Sequence, residues 1–78
     1  MTPEIDFHLI PHHRTKAMLL EFLQQSHALG ARRCRVIHGK GSSSKKLQIY
    51  HYLEESPLVS GYDDDGANWG ATIVELVD

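Results

Sequence analysis

Two short stretches of the chain hold residue types that can do chemistry. The first is Asp6-Phe7-His8. On an extended strand, positions i and i+2 share a sheet face, which puts the Asp6 and His8 side chains together. A carboxylate beside an imidazole suits general acid–base work, because imidazole titrates near neutral pH. The plainer alternative is a solvated Asp and a surface His. The second stretch is His38-Gly39-Lys40-Gly41-Ser42-Ser43-Ser44. Its glycines let backbone approach a ligand closely. Backbone N–H groups at the start of a following helix, together with the serine hydroxyls, form an anion site, and Lys40 adds a mobile positive charge. The spacing is not that of a Walker A loop.

The elements that position these residues are legible as periodicities. Glu4 to Ile10 alternates polar and apolar, with Ile5, Phe7 and Leu9 on one side and Asp6 and His8 on the other. Pro11 ends this strand and can occupy the first turn of a helix. His12 to Leu29 has helical spacing, with Leu19, Phe22, Leu23, Ser26 and Leu29 on one face, and Gly30 is placed to cap it. Arg32 to His38 is a second strand, with Cys34, Val36 and His38 on one face and Arg33, Arg35 and Ile37 on the other. Lys45 to Glu55 is a second helix with Leu47, Tyr50 and Leu53 expected inward and Ile49 and Tyr52 beside them. Leu58 to Tyr62 is a short strand, Asp63 to Asn68 a turn-rich loop, and Ala71 to Val77 an apolar central strand. The order βαβαββ predicts an α/β two-layer sandwich, a four-stranded mixed sheet with both helices on one face. If the first two strands are neighbours, His8, His38 and Lys40 converge at one edge of the sheet.

A chain of 78 residues predicts a single domain over 1–78. One cysteine excludes a disulfide framework and a multi-cysteine zinc site and points to a reducing, cytoplasmic setting. Cys34 is expected in the core. No apolar run nears the ~18 residues needed to span a bilayer, and no signal-peptide pattern opens the chain, so no membrane partner is expected. The formal net charge of −2 argues against a nucleic-acid partner, but its distribution does not. Residues 14–46 carry all eight Lys and Arg against Glu21 alone, and residues 47–78 carry seven acids and no Lys or Arg. Such asymmetry points to an anionic partner, unless folding mixes the two zones. Arg14, Lys16, Lys45 and Lys46 open the two helices, where the dipole disfavours cations and an anion held nearby would explain them. Arg33 and Arg35 are placed to contact phosphates or to pair with Glu75.

These motifs together carry a family resemblance. Ile5-Asp6-Phe7-His8 resembles the Leu-Asp-Leu-His motif of the small MutS-related (Smr) domain family, and His38-Gly39-Lys40-Gly41 resembles its His-Gly-x-Gly motif. Gly70 to Leu76 is similar to its closing strand, and the order of elements agrees over essentially the whole chain. The resemblance implies a fold like the C-terminal domain of translation initiation factor three. It also implies nucleic-acid binding, often with endonuclease activity on DNA or RNA. Leu9 departs from the Gly usual after the Asp-x-His motif, and Pro11 replaces a Thr-type helix cap. A bulkier side chain at Leu9 narrows the approach of a nucleic acid.

On this basis Asp6, His8 and His38 are the expected catalytic residues. Gly39, Lys40, Gly41, Ser42, Ser43, Ser44, Lys45, Arg33, Arg35 and Arg14 are the expected phosphate or nucleic-acid contacts. His8, oriented by Asp6, would activate the nucleophile, and His38 would be the complementary acid or would shape the loop. Two histidines could do this without a metal; the alternative is a metal-dependent version that would recruit Asp6, with or without His8, to Mg or Mn. His12 and His13 are expected as exposed residues at the helix start. Trp69 offers a face to an unpaired base, or folds onto the sheet as an ordinary loop residue. The alternatives to a nuclease are a non-catalytic nucleic-acid-binding module of a larger repair or translation-associated protein, and a protein-interaction domain using the acidic C-terminal part. A small-molecule phosphate enzyme ranks behind these, because no deep-pocket signature is visible.

Overall fold

The computed structural model describes residues 2–41, 43–66 and 68–78. Six elements follow in the expected order: β1 (Glu4–Asp6), α1 (His12–Ala28), β2 (Arg33–Ile37), α2 (Ser43–Glu55), β3 (Val59–Asp65) and β4 (Asn68–Leu76). The sheet order is β1-β2-β4-β3. β1 and β2 run parallel, with Asp6 opposite Ile37, while β4 is antiparallel to both β2 and β3. β4 is therefore central, as its two-sided apolar sequence demands. Because β1 and β2 are adjacent and parallel, their C-terminal ends lie side by side, and the two chemistry-bearing stretches leave the sheet at the same edge.

One sheet face packs under the helices. Phe7, Cys34, Val36, Val74 and Leu76 from the sheet side meet Leu19 and Leu23 of α1 and Ile49 and Leu53 of α2 in a buried cluster. Burying each large side chain contributes about 1.5–3 kcal/mol. Cys34 is part of it, and burial pushes its thiol up to about 11, so it is a packing residue. α1 ends at Ala28 with Leu29 as its cap, and the next residue, Gly30, has the φ of 82° that a helix C-terminus favours.

Four details differ from expectation, the first being Leu29, which caps α1 and is exposed where the helical spacing set it on the inner face. β1 stops at Asp6, because the Asp6 carboxylate accepts the His8 amide N–H (2.9 Å) and turns the chain. Phe7 stays buried, but Leu9 is thrown out to 81% exposure. In α2 the inward row is Lys45, Ile49 and Leu53, and Leu47 is 67% exposed. The reason is the anchor: the Lys45 ammonium has acceptors to reach inside the fold, so the helix turns that row inward. Finally, Asp63, Asp64 and Asp65 belong to β3 and do not form a loop. β3 is an edge strand, where charged side chains stay solvated or pair with neighbours. Of the expected turn at 63–68, Ala67 lies outside the described residues.

Candidate nucleic-acid interface

Asp6 and His8 form a pair through a turn, where the sequence suggested a pleat. Asp6 Oδ1 lies 2.7 Å from His8 Nδ1 and also accepts the His8 amide. Those two contacts, the amide foremost, hold the Asp6 carboxyl below the usual carboxylate range. An ionised Asp6 can only accept, so the neutral His8 ring carries its proton on Nδ1 and its lone pair on Nε2. Both side chains are about half exposed.

The glycine loop is fitted against the pair. Gly39 has φ 94°, and a Cβ built there would stand 3.0 Å from His8 Cβ. The two motifs therefore share a wall, and glycine is required at position 39 on two counts. The loop is pinned from the other side by the Gly70 carbonyl, which accepts from the N–H groups of His38 (2.9 Å) and Gly39 (3.0 Å). Gly70 is itself closely covered: an added Cβ would lie 2.8 Å from Lys40 Cγ. Substituting Gly39 with Ala is expected to cost about 1–2 kcal/mol for the left-handed backbone alone and to displace His8. Chemical denaturation would read the first effect, and any site activity should fall with it. A Gly39→Ala protein of unchanged stability would contradict the packing described.

His38 takes the structural role of its two expected ones. It is 1% exposed, and its Nε2 lies 3.0 Å from Thr72 Oγ1. Thr72 donates to Tyr50 (3.3 Å), and Tyr50 donates to Asp64 (2.7 Å). Because this chain ends on a carboxylate, every proton points toward Asp64, and His38 donates through Nε2. Burial also pulls the His38 pKa below its usual value, favouring the neutral ring. His38 thus anchors the loop to β4 and α2 and does not reach out to a leaving group.

The basic residues divide sharply. Lys45 was expected at the phosphate; instead it is 2% exposed, and its ammonium donates to the Ile10 carbonyl and to Thr15 Oγ1 (3.0 Å). Arg33 pairs with Glu75 (3.1 Å), its cross-strand neighbour, and Arg35 with Glu4 and Asp65. These arginines fill the open sheet face with ion pairs and are not held free for a phosphate. Arg32 pairs with Asp78 (3.5 Å) and Lys46 with Asp64 (3.0 Å). Folding therefore mixes much of the charge separation seen along the chain. Lys40 is exposed and without a carboxylate partner among the described residues, as is Arg14 in the first turn of α1. Gly41, Ser43 and Ser44 are exposed around the start of α2, and Ser42 lies outside the described residues.

A cleft of about 170 Å³ lies between His38, Gly39, Lys40, Ser43, Lys46 and Trp69. Lys46 and Trp69 line it as well; the sequence had set Lys46 at the start of the second helix beside an anion and offered Trp69 to an unpaired base. The four-residue spacing of Lys45, Ile49 and Leu53 was the signal that would have turned Lys45 inward and Lys46 toward the loop. Larger clefts, of about 320 and 290 Å³, lie around the far end of α1, away from the Asp6–His8 pair. Among the described residues no three His, Cys, Asp or Glu side chains gather as donors for a metal ion. His12 and His13 are exposed in the first turn of α1.

The profile of the Smr domain family matches residues 5–77, which spans both motifs and the closing strand. The chain belongs to the Smr family. Its relatives include "Endonuclease MutS2" of Maridesulfovibrio salexigens, 32% identical over 72% of this chain, and that of Caldicellulosiruptor saccharolyticus, 34% identical over 74%. The aligned part is 8% of the length of each of these relatives. Two solved structures share the fold at a TM-score of 0.92. The Smr domain of Thermus thermophilus MutS2 is 24% identical, with 99% of this chain and all of that one covered. YdaL, a stand-alone small MutS-related protein from Escherichia coli, is 25% identical, with 96% of this chain and 64% of that one covered. Smr domains thus occur both within larger proteins and as stand-alone forms. Among the described residues, no helix of this Smr domain is long and apolar enough to cross a membrane.

Proposed function

We propose that this Smr domain binds nucleic acid at the edge where β1 and β2 end, and cleaves a phosphodiester bond there. The observation that carries the reading is the contact between His8 and Gly39: a half-exposed base and a glycine loop share one wall. The name of the MutS2 relatives, endonucleases, agrees with it. A phosphate would lie against the Gly39–Gly41 backbone and the start of α2, where N–H groups and the helix dipole favour an anion. Lys40 stabilises the charge that develops on the phosphoryl oxygens. His8 Nε2 takes the proton of the attacking oxygen, a 2′-hydroxyl in RNA or a water in DNA. The new P–O bond forms as the bond to the leaving oxygen breaks, and that oxygen takes a proton from solvent. Asp6 holds the ring in the required tautomer and stabilises the cation that forms.

No step in this scheme passes through a metal. The test is a cleavage assay on single-stranded RNA, duplex DNA and branched DNA, with and without EDTA. Cleavage of at least one substrate that persists in EDTA is the expected result. Absence of cleavage on all three, with binding retained, would replace the nuclease by a binding module of a larger protein. Cleavage lost on chelation would overturn the metal-free scheme.

A further inference from the structure

The geometry points to Trp69 as a stacking platform for an unpaired base, so that the site takes a single-stranded segment of nucleic acid. This deepens the function proposed above and rests on it. Trp69, the chain's one tryptophan, is 61% exposed and is not part of the buried core cluster. One exposed aromatic is ordinary on its own; the placement of this one beside the glycine loop and Lys40 gives it meaning. Its position is held rather than loose. Its neighbour Gly70 accepts through its carbonyl from the His38 and Gly39 N–H groups, so the Trp69 backbone is fixed beside the glycine loop.

Charge sits on the same spot. Lys40 crosses above Gly70, close enough that no Cβ would fit there, and its ammonium lies 5.6 Å from the Trp69 ring centroid. Lys46, ion-paired with Asp64, lines the same cleft. An aromatic face flanked by cations is the pairing of features that single strands use: bases stack on the ring while phosphates meet the lysines. A duplex does not fit this pattern, because its base faces are already covered by neighbouring pairs. At about 170 Å³ the cleft is smaller than the ~300 Å³ of the smallest usual small-molecule pockets. A strand lying across it, with one base on Trp69 and the adjacent phosphate toward Gly39 and Lys40, meets that limit where an enclosed mononucleotide does not.

The single tryptophan makes the test direct. The protein is titrated with 12-mers of thymidine and of uridine and with a DNA duplex of the same length. Intrinsic emission reports stacking, and anisotropy of labelled probes reports binding. Quenching by either single strand but not by the duplex is expected, and the stronger of the two quenchers identifies the preferred sugar. Trp69→Ala should weaken single-strand binding about 5- to 100-fold and leave duplex binding within about twofold, while Trp69→Phe should recover much of the loss. Circular dichroism checks that both variants fold. Single-strand binding with unchanged emission, or equal loss toward duplex and single strand in Trp69→Ala, overturns the stacking role and leaves the nucleic-acid reading standing. No binding of any probe overturns both.

Discussion

Removing the His8 ring is expected to lower the cleavage rate by about 10²–10⁴-fold, the usual range for losing a general base. His8→Ala should leave the fold in place. The ring is about half exposed, and the backbone N–H that turns the chain at Asp6 does not depend on it. Nucleic-acid affinity should change little, since the Gly39–Gly41 backbone and Lys40 remain. Single-turnover cleavage read beside binding anisotropy separates the two effects. Asp6→Asn should have a smaller effect on rate, because an amide oxygen can still accept from Nδ1 but brings no negative charge to the imidazolium. The Asp6 carboxyl is held below its ordinary range, so its anion persists throughout the pH span where imidazoles titrate. A loss of rate on mild acidification would therefore not arise from Asp6. Cleavage at the wild-type rate by His8→Ala would sink the catalytic assignment.

The largest effect on stability is expected from Lys45. Truncation to alanine removes a side chain that is 2% exposed and strands its two acceptors, the Ile10 carbonyl and Thr15 Oγ1. The cavity and the orphaned polar groups together should cost about 2–4 kcal/mol. In a domain of this size each kcal/mol lowers Tm by roughly 4–8 °C. Lys45→Met refills most of the volume and leaves only the polar loss, so it should be the milder of the two in urea or thermal denaturation. The effect should also reach the site. Lys45 ties the segment just after His8 to α2, and Thr15 Oγ1 donates in turn to the Pro11 carbonyl (3.2 Å). An alanine variant as stable as the parent would show that the buried ammonium is no anchor. Burial lowers the Lys45 pKa, so the folded state releases this proton more readily than the unfolded chain. Its contribution to stability therefore rises with pH just below the ordinary lysine range.

The site was half legible before any contact was known. Asp6 with His8 and the glycine loop could be read from residue types, and their meeting followed from a single topological condition, adjacent parallel β1 and β2. Lys45 shares its charge with Lys46 and Lys40, and only its four-residue row with Ile49 and Leu53 marks it as inward; the two acceptors that hold its ammonium are invisible in the sequence. The same likeness of charge leaves Lys46 undistinguished from Lys45 at the start of α2. His38 could be placed at the loop but not assigned between acid and anchor. That choice depends on Thr72, Tyr50 and Asp64, which lie 34, 12 and 26 positions away in the chain.

Local pattern sufficed for the class of fold. The strand and helix periods, the proline and glycine at their ends and the two-sided apolar strand at the C-terminus place nearly every element, since each depends on residues a few positions apart. What such patterns could not reach was the partner of each charge. The basic middle and acidic end of the chain looked like two zones, but sheet pairing sets Arg33 beside Glu75 and Arg35 beside Glu4 and Asp65. Those partners lie 30 or more positions away. Strand register, a long-range property, brings them to within hydrogen-bonding distance. What remains of the positive edge at the loop is Lys40 and a partly neutralised Lys46, beside an exposed Trp69.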